Sequence, residues 1–426
     1  MSRVTVGFAG MTHLGLVSAS AIASRDFDVV CYDADTRLIE RLKRGELPVS
    51  EPELDDLLRA NGARQRFSAD IASLAECDVV YIAPDIPTDD AGRSDTAGIK
   101  ALIDQVNRIL AKDAVLVVLS QVEPGFTRRL AAPAFDRRFY QVETLVFGRA
   151  VERATKPERY IVGCADPRGS LPQAYRTVLE AFDCPILPMR YESAELAKIS
   201  INFCLVASVS VANTLAEVCE AIGADWTEIA PALKLDRRIG AYSYLTPGLG
   251  ISGGNLERDL RTVLEIGGAH GTDVHLVQAW LHNSAYRKDW TFRTLRDAVL
   301  ARKQDPIIAV LGLAYKENTH STKNSPSLRL LSQLERYPVR VHDPVVPATV
   351  VPFAQGCADA LDCLNSADAV VLATPWPDYR SLSIEMMAGR MRGRVIIDPY
   401  RLLDGDSACS LGFSYYTLGR PALTPD

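Results

Sequence analysis

The segment RVTVGFAGMTHLGLVSASAIAS, residues 3–24, decides the fold. Its first seven residues are mostly apolar, as in a buried strand, and glycines at positions 10 and 15 mark a turn. The small apolar residues that follow predict a helix packed closely against a sheet. A second apolar strand, residues 28–33, ends in Asp33. Strand, glycine turn, helix and strand in this order predict a βαβ unit of a parallel sheet.

The α/β pattern extends along the chain with one helical interruption. Residues 191–222 contain neither proline nor glycine and predict one helix of 32 residues, long enough to connect two domains. A glycine-rich segment (246–260) and more helix (272–302) follow, and strands restart at 307. We predict three domains, 1–188, 189–303 and 304–426. Further strands are predicted at 77–84, 114–120, 160–164, 307–315, 339–344, 368–375 and 395–400, and further helices at 36–45, 97–112 and 326–336.

Bulk composition excludes several classes of function. Hydrophobic residues make up 47% and charged residues 23%, as in a packed globular protein, and the formal net charge is −6. An acidic balance argues against nucleic acid or an anionic membrane as partner. The nine cysteines include no C-x-x-C pair, so neither a metal site nor a dithiol is expected, and the odd count suits the reducing cytoplasm. Cys204 is expected in the core, and no segment is expected to span a membrane.

The glycine turn predicts a cradle for a dinucleotide pyrophosphate. Backbone N–H groups at a helix N-terminus bind such an anion, and the usual pattern is G-x-G-x-x-G. Here Thr12 replaces the middle glycine, so its side chain must point away or the dinucleotide must shift. Asp33 stands 23 residues beyond Gly10, close to the roughly 20 at which an acid accepts from a ribose 2′-hydroxyl and favours NAD over NADP. A Rossmann domain that binds NAD is therefore predicted, and a purely structural βαβ unit is the alternative. The cofactor-binding candidates in this turn are Gly10, Thr12, His13, Leu14 and Gly15, with His13 interpreted as a turn residue rather than a catalyst.

Six segments in sequence order resemble the UDP-glucose/GDP-mannose dehydrogenase family, and together they cover nearly the whole chain. No single segment is specific for the family, but all six occurring in the family's order is. They are the run from Asp33 through Arg37 to Pro52, the segment 120–125, the pair 141–143 and 156–159, the helix segment 194–202, Arg238-Ile239-Gly240, and 311–326.

The resemblance implies an N-terminal Rossmann domain, a long central helix with a helical dimerisation region, and a C-terminal Rossmann-like α/β domain that holds the nucleotide sugar. It implies NAD as cofactor, a nucleotide sugar as substrate and a homodimer formed through the central helices. Members oxidise the C6 alcohol of the sugar twice, to a uronic acid, and supply precursors for polysaccharides.

The chain departs from the family where the second oxidation occurs. The family's G-G-S-C-F-P-K-D segment aligns with residues 252–259, which places Asn255 at the nucleophilic cysteine. An amide cannot form the thiohemiacetal that captures the aldehyde. The second of two site glutamates is Phe147, the threonine of S-T-V is Gln121, and the arginine of R-E-S-P is Lys323. The D-G-R near the C-terminus is Asp398-Pro399-Tyr400, with Arg401 one place later.

The groups for the first oxidation are retained. By resemblance, Lys198 and Asn202 stabilise the alkoxide, Asp259 with a water accepts the proton, and Glu143 positions water or substrate. Asn255 and Gln121 complete the candidate catalytic set. Further cofactor-binding candidates are Asp33, Arg37, Ser120 and Lys323, and substrate-binding candidates are Arg238, Tyr244, Gly250, Gly253, Gly254, Lys316 and Arg401.

Three functions remain open on the sequence alone. The first is an NAD-dependent nucleotide-sugar dehydrogenase with altered chemistry. The second is an NAD-retaining nucleotide-sugar epimerase or isomerase, since covalent capture would block the return of the hydride. The third is an inactive relative that only binds nucleotide sugars.

Overall fold

The computed structural model describes residues 3–87 and 94–425. The chain divides into two compact units, Met1–Ile201 and Asn202–Asp426. Each unit is built around its own sheet.

An eight-stranded sheet forms the centre of the N-terminal unit. Its strands are β1 (Thr5–Ala9), β2 (Asp28–Tyr32), β3 (Gln65–Ser68), β4 (Val79–Ile82), β5 (Val115–Val118), β6 (Arg138–Gln141), β7 (Tyr160–Cys164) and β8 (Ile186–Arg190). Their order is β3-β2-β1-β4-β5-β6-β7-β8, and β1 to β6 are parallel. The order of the first six is that of a dinucleotide-binding sheet with its switch point between β1 and β4.

Helices cover both faces of this sheet, which is why its central strands are continuous runs of apolar residues. Every residue of β4 and β5 is buried. The helices are α1 (His13–Ala23), α2 (Thr36–Lys43), α3 (Leu54–Ala60), α4 (Ala97–Ile109), α5 (Phe126–Arg129), α6 (Ala150–Thr155) and α7 (Gln173–Glu180), with 3₁₀ turns at Gly62–Arg64, Ile71–Leu74 and Phe135–Arg137.

The strand predicted at 160–164 joins the sheet, but in the opposite direction. β7 pairs antiparallel with β6, through Tyr140 opposite Gly163, and β8 follows β7 in parallel. The connection between β6 and β7 is mostly loop and contains only the six-residue helix α6. A parallel crossover usually needs a helix that carries the chain back along the sheet. Without a long helix here, β7 begins at the same end of the sheet at which β6 ends, and the two strands are antiparallel.

The central helix, α8 (Tyr191–Ile222), has the predicted bounds. The boundary between the two units falls within it. An 18-residue window of α8 has a mean hydropathy of 1.7 and is 28% buried, so by length and composition alone this helix could cross a membrane. No membrane-spanning segment is predicted from the sequence, so this finding differs from the expectation. Cys204, predicted in the core, is exposed on α8, because it lies on the same helix face as the exposed Leu196 and Val211.

The C-terminal unit begins with helices and ends with a six-stranded sheet. The helices before the sheet are α9 (Trp226–Leu235), α10 (Asn255–His270), α11 (His275–Lys288) and α12 (Trp290–Leu295), followed by a π-helical turn, Arg296–Leu300. The strands are β9 (Ile308–Leu311), β10 (Val339–His342), β11 (Gln355–Gly356), β12 (Ala369–Leu372), β13 (Val395–Ile397) and β14 (Ser414–Tyr416). The remaining helices are α13 (Pro326–Gln333), α14 (Ala360–Cys363), α15 (Ile384–Arg390) and α16 (Gly405–Ser410), with 3₁₀ turns at Ala348–Val350 and Pro377–Ser381.

The second sheet repeats the topology of the first. Its order is β11-β10-β9-β12-β13-β14, all parallel. Numbered within the unit, this is again the order 3-2-1-4-5-6. The predicted second parallel α/β domain is therefore confirmed.

Candidate active site

The turn after β1 has a shape that only glycine allows at two positions. Gly10 has φ +101° and donates from its N–H to Tyr32 O at 2.9 Å. A Cβ at Gly15 would lie 1.8 Å from Gly10 O, and one at Gly10 would lie 2.7 Å from Pro84 N. The first turn of α1 thus packs directly on the glycine turn. This brings the N–H groups at the N-terminus of α1 to the carboxyl end of the sheet, where a dinucleotide pyrophosphate fits.

Thr12, in place of the middle glycine, directs its side chain toward the chain beyond β4. Its Oγ1 donates to Ala83 O at 3.3 Å and accepts from Asp85 N–H at 3.2 Å. The hydroxyl does not cap α1, so it leaves the helix N-terminus to an anion. Leu14 is buried in the core, and in this cradle it can offer only its backbone.

Asp33 lies at the carboxyl end of β2, beside this turn. One carboxylate oxygen accepts from Met11 N–H at 2.7 Å and the other from Asp35 N–H at 2.9 Å. These bonds hold the carboxylate beside the glycine turn, and its role as a ribose acceptor stays a prediction. Arg37 is exposed in the first turn of α2.

Ser120 and Gln121 follow β5 at the same edge of the sheet. Ser120 is buried, and its hydroxyl donates to Pro84 O at 2.5 Å. The serine therefore joins the loops after β4 and β5, whereas Gln121 is half-buried beside it.

Lys198, on α8, contacts the loop after β6. Its Nζ donates to Glu143 O at 2.8 Å and lies 3.4 Å from Glu143 Oε2. The two side chains are only 12% and 17% exposed. A cation and a carboxylate that are sheltered from solvent interact more strongly than a surface pair. The contact therefore holds the Lys198 ammonium in a defined position within the N-terminal unit.

Asn202 and Asp259 form the corresponding pair in the C-terminal unit. Asn202 Nδ2 donates to Asp259 Oδ2 at 2.5 Å, and Arg258 Nε lies 3.3 Å from Asp259 Oδ1. Asp259 is 1% exposed. Asn255 is the exposed first residue of α10, one turn before Asp259, so both residues face the same side of the helix.

A partly buried polar network, which the sequence does not predict, supports the glycine loop before α10. Ile251 N–H donates to Ser284 Oγ at 2.8 Å. Lys288 Nζ donates to Asn324 Oδ1, and Asn324 Nδ2 to Glu257 Oε2, each at 2.5 Å. Burial lowers the pKa of Lys288. These residues come from α10, α11 and the loop before α13, and no local sequence pattern connects them.

The glycines of this loop are tightly enclosed. A Cβ at Gly250 (φ +79°) would lie 2.5 Å from Ser284 O, and one at Gly253 (φ +74°) would lie 3.2 Å from the Tyr315 ring. A Cβ at Gly254 would lie 3.3 Å from the stem of Lys323, a predicted cofactor residue that belongs to the C-terminal unit.

The other predicted substrate residues also belong to the C-terminal unit. Arg238 is highly exposed and pairs with Asp236 at 2.6 Å. The Arg401 guanidinium is bonded to Asp225, Thr227 and Leu418 O, which favours a structural role. Tyr244 is half-exposed, and Lys316 Nζ lies 5.8 Å from the Tyr315 ring centre. Across residues 3–87 and 94–425, no group of three or more His, Cys, Asp or Glu could hold a metal ion.

Comparison with known proteins connects both units to one family. Three family models match in order: the NAD binding domain of the UDP-glucose/GDP-mannose dehydrogenase family over residues 4–183, its central domain over 192–284 and its UDP binding domain over 309–405. UDP-glucose 6-dehydrogenase of Pseudomonas aeruginosa is 31% identical over 97% of this chain and 96% of its own length. The enzyme of that name from Rhizobium meliloti is 30% identical over 97% and 98%.

A solved structure agrees with these matches. A UDP-glucose dehydrogenase from the hyperthermophilic archaeon Pyrobaculum islandicum matches with a TM-score of 0.82 and 27% identity, over 93% of this chain and 94% of the other. The match to the NAD binding domain and the dehydrogenase relatives assign NAD as the cofactor. This chain belongs to the UDP-glucose/GDP-mannose dehydrogenase family, whose members are NAD-dependent oxidoreductases of nucleotide sugars.

Proposed function

We propose that this chain oxidises one hydroxyl of a nucleotide sugar, at C6 by family resemblance, through a single hydride transfer, and that it does not continue to a uronic acid. Asn255 carries this proposal. It begins α10 one turn before the buried Asp259, and the family's cysteine aligns with it. The second oxidation requires a thiohemiacetal, which an amide cannot form.

Phe147 supports the same conclusion independently. It replaces the second site glutamate of the family, and its ring stacks on His13 with centroids 4.2 Å apart. A phenyl ring cannot activate the water that releases an acid from a covalent intermediate. Both replacements affect the second oxidation, whereas Lys198, Asn202 and Asp259 are retained for the first.

The retained residues have distinct roles in the first oxidation. Asp259, with a water that it holds, accepts the proton of the sugar hydroxyl. Lys198 and Asn202 stabilise the developing alkoxide, and Glu143 orients Lys198 through the contact at 2.8 Å. Bound NAD⁺ supplies the hydride acceptor. One alcohol and one NAD⁺ thus give one carbonyl, one NADH and one proton.

The nucleotide of the substrate binds to the C-terminal unit in this proposal. The backbone of the glycine loop at Gly250, Gly253 and Gly254 lies against a phosphate or sugar in this proposal, with the Gly253 N–H itself donating to Lys323 O at 3.1 Å, and Arg238 and Lys316 supply positive charge. Lys323 is proposed to contact the cofactor. Tyr244 and Arg401 remain substrate candidates by resemblance only.

We further propose a soluble, cytoplasmic homodimer. Leu196, Val211, Leu215, Val218 and Ile222 are exposed on α8. A second copy of this helix would cover them, as the family resemblance implies.

The stoichiometry of NADH tests the proposed function. The purified protein is incubated with NAD⁺ and with UDP-, GDP-, CDP- and dTDP-sugars, and NADH and the sugar product are measured together. We expect one NADH per sugar and a carbonyl product that a hydrazine reagent traps. Two NADH per sugar with a uronic acid would contradict the proposal.

A cysteine placed at position 255 tests the alignment that assigns Asn255 to the position of the family's nucleophilic cysteine. Asn255→Cys is expected to retain a covalent sugar adduct, detected as a mass increase of the intact protein, whereas Asn255→Ala gains none. If Asn255→Cys gives no adduct while the parent enzyme forms the carbonyl, the assignment of Asn255 to the nucleophile's place is wrong.

An NAD-retaining epimerase or isomerase is the second candidate, and the lack of a thiol favours it too, because nothing captures the carbonyl before the hydride returns. It predicts tightly bound NAD in the purified protein and a changed sugar NMR spectrum without net NADH. A sugar spectrum that does not change, with no NADH formed, would leave the third candidate, a relative that only binds nucleotide sugars.

A further inference from the structure

His13 is a buried histidine and the first residue of α1, the helix whose N-terminus forms part of the dinucleotide cradle. His13 is 7% exposed, and its Nε2 lies 2.9 Å from Glu51 Oε2. On its other side the imidazole stacks on Phe147, with 25° between the rings. Neither the cradle nor the proposed hydride transfer requires a histidine here, since the backbone alone can bind a pyrophosphate.

Glu51 connects this histidine to the loop after β6. Its side chain is fully buried, and its two oxygens accept from Gly148 N–H at 3.0 Å and from Ala150 N–H at 2.8 Å. A buried carboxylate is stable only when such donors surround it. Glu51 therefore fixes two backbone positions of the loop and one ring nitrogen of the turn at the same time.

The hydrogen bonds also define the tautomer of His13. The Glu51 carboxylate can only accept, so Nε2 of His13 must donate to it. In the neutral ring, Nδ1 is then the acceptor. The ring is held in one orientation by this bond and by the Phe147 stack.

The same loop carries Glu143. Glu143 precedes Phe147 by four positions, and Glu143 contacts Lys198 through both its carbonyl and its carboxylate. All these residues belong to the N-terminal unit. A continuous series of contacts therefore runs from the N-terminus of α1, through His13 and Glu51, to the loop that positions Lys198.

We propose that His13 is a positioning residue that couples occupancy of the dinucleotide cradle to the loop of residues 143–150. Cofactor binding at the cradle orders the first turn of α1, and the Glu51 bond and the Phe147 stack transmit that order to the loop. The coupling therefore links the order of the loop that carries Glu143, the partner of Lys198, to occupancy of the cradle. It adds to the proposed function, but its test needs no turnover, so the two can fail separately.

Hydrogen exchange with and without NADH tests the coupling. In the parent protein, NADH is expected to slow amide exchange in peptides that cover residues 143–150, although these residues lie outside the cradle. In His13→Ala, NADH should still bind, with a Kd raised about 10-fold or less because the backbone cradle remains, but the slowing in 143–150 should be lost.

Two further variants separate the contacts. Phe147→Leu removes the stack and retains the Glu51 bond, so it should weaken the response partly. His13→Gln retains a donor for Glu51 and should keep more of the response than His13→Ala. If His13→Ala does not fold, His13→Gln and Phe147→Leu are compared instead. The proposal would be overturned if NADH slowed amide exchange in residues 143–150 of both variants as much as in the parent protein.

His275→Gln provides a matched control. His275 also pairs with a carboxylate, Asp273, at 2.6 Å, but it is exposed and lies in the C-terminal unit. Its removal should leave the response of 143–150 unchanged. A parent protein in which NADH does not alter exchange in 143–150, or a His13→Ala protein that responds like the parent, would overturn the proposal.

Discussion

At the scale of single residues, several positions that resemble the family have a structural explanation. Glu195 is fully buried on α8 and accepts from Gly125 N–H at 2.5 Å and Thr127 N–H at 2.8 Å. Burial raises the pKa of its carboxyl, and the N–H donors oppose this effect. Glu195 thus holds the turn after Ser120 against α8. It stands one turn before Lys198, so the same helix face that fixes the turn also presents the lysine.

Lys198→Met is expected to lower kcat by roughly 10²–10³-fold with little change in KM, because in the proposed mechanism the ammonium acts on charge that develops in the transition state. Steady-state kinetics with the best sugar from the panel measure both constants. Lys234→Met, at an exposed position of α9, is the control and should match the parent enzyme. A Lys198→Met protein with unchanged kcat would remove the lysine from the reaction.

Asp225 makes the C-terminal unit sensitive to acid. Burial would raise the pKa of its carboxyl, but the hydrogen bonds from Arg401 and Thr227 lower it to about 2, below its ordinary value of 3.8. The folded state therefore favours the ionised form. The resulting stabilisation is present above about pH 4 and is lost as the pH falls through about 2.

Asp225→Asn should consequently reduce the free energy of unfolding more at neutral pH than near pH 3, as measured by urea denaturation at both values. Asp305→Asn, at an exposed position of the same unit, should show no such dependence. An equal effect of Asp225→Asn at both pH values would contradict the assignment.

At the scale of elements, α8 is a scaffold with two different faces. Buried or half-buried polar residues recur at three- and four-residue spacing along one face, and each holds another segment of its own unit. Lys198 contacts Glu143, Asn202 contacts Asp259, and Asn213 Oδ1 accepts from Gly248 N–H at 2.8 Å. Toward the C-terminal end of the helix, Glu217 and Glu220 bond to α11 and α12. The opposite face is apolar and exposed.

The elements that are visible from sequence are those with local signals. The bounds of α8 follow from composition alone, and the turn at Gly10 follows from the strand, the glycines and Asp33. The direction of β7 and the exposure of Cys204 could not be predicted, because they depend on how a loop folds back and on which face of a helix is covered. The hydrogen bond between Glu51 and His13 joins residues 38 positions apart, and the hydrophobic periodicity of the sequence cannot predict such a contact.

Arg287 is the central cation of the network between α8 and the helices that follow. It is fully buried, and its Nη1 donates to Glu217 Oε2 at 2.9 Å. Arg287→Met would leave Glu217 and Glu220 without this partner, so a loss of about 3–5 kcal/mol in the free energy of unfolding is expected. Arg296→Met, which removes an exposed pair with Asp297, should have no measurable effect. A similar result for both variants would contradict this role.

At the scale of the whole molecule, the chain uses one sheet topology twice, with a glycine turn in each copy. Gly312 after β9 has φ +105°, close to the +101° of Gly10, and Asp343 after β10 corresponds to Asp33. The copies differ in the acid. Burial would raise the pKa of Asp343, but bonds from backbone N–H groups, including those of Leu313 and Ala314, hold it below its ordinary value. Both acids thus bind the N–H that follows the turn glycine, but Asp343 accepts from Leu313 and Ala314 N–H, whereas Asp33 accepts from Met11 N–H in its turn and from Asp35 N–H.

The exposed apolar face of α8 leads to the prediction for the assembled protein. Light scattering coupled to size exclusion should give the mass of a dimer for the parent chain, and Val211→Asp with Val218→Asp should shift it to the mass of a monomer. Both side chains are about half-exposed, at 52% and 45%, so the fold of the single chain should persist, whereas two carboxylates cannot be buried without partners in an interface. Met386→Asp, at 47% exposure on α15, introduces the same charge away from α8 and should remain dimeric. A monomeric parent chain, or a double variant that stays dimeric, would show that this face is not covered by a second copy.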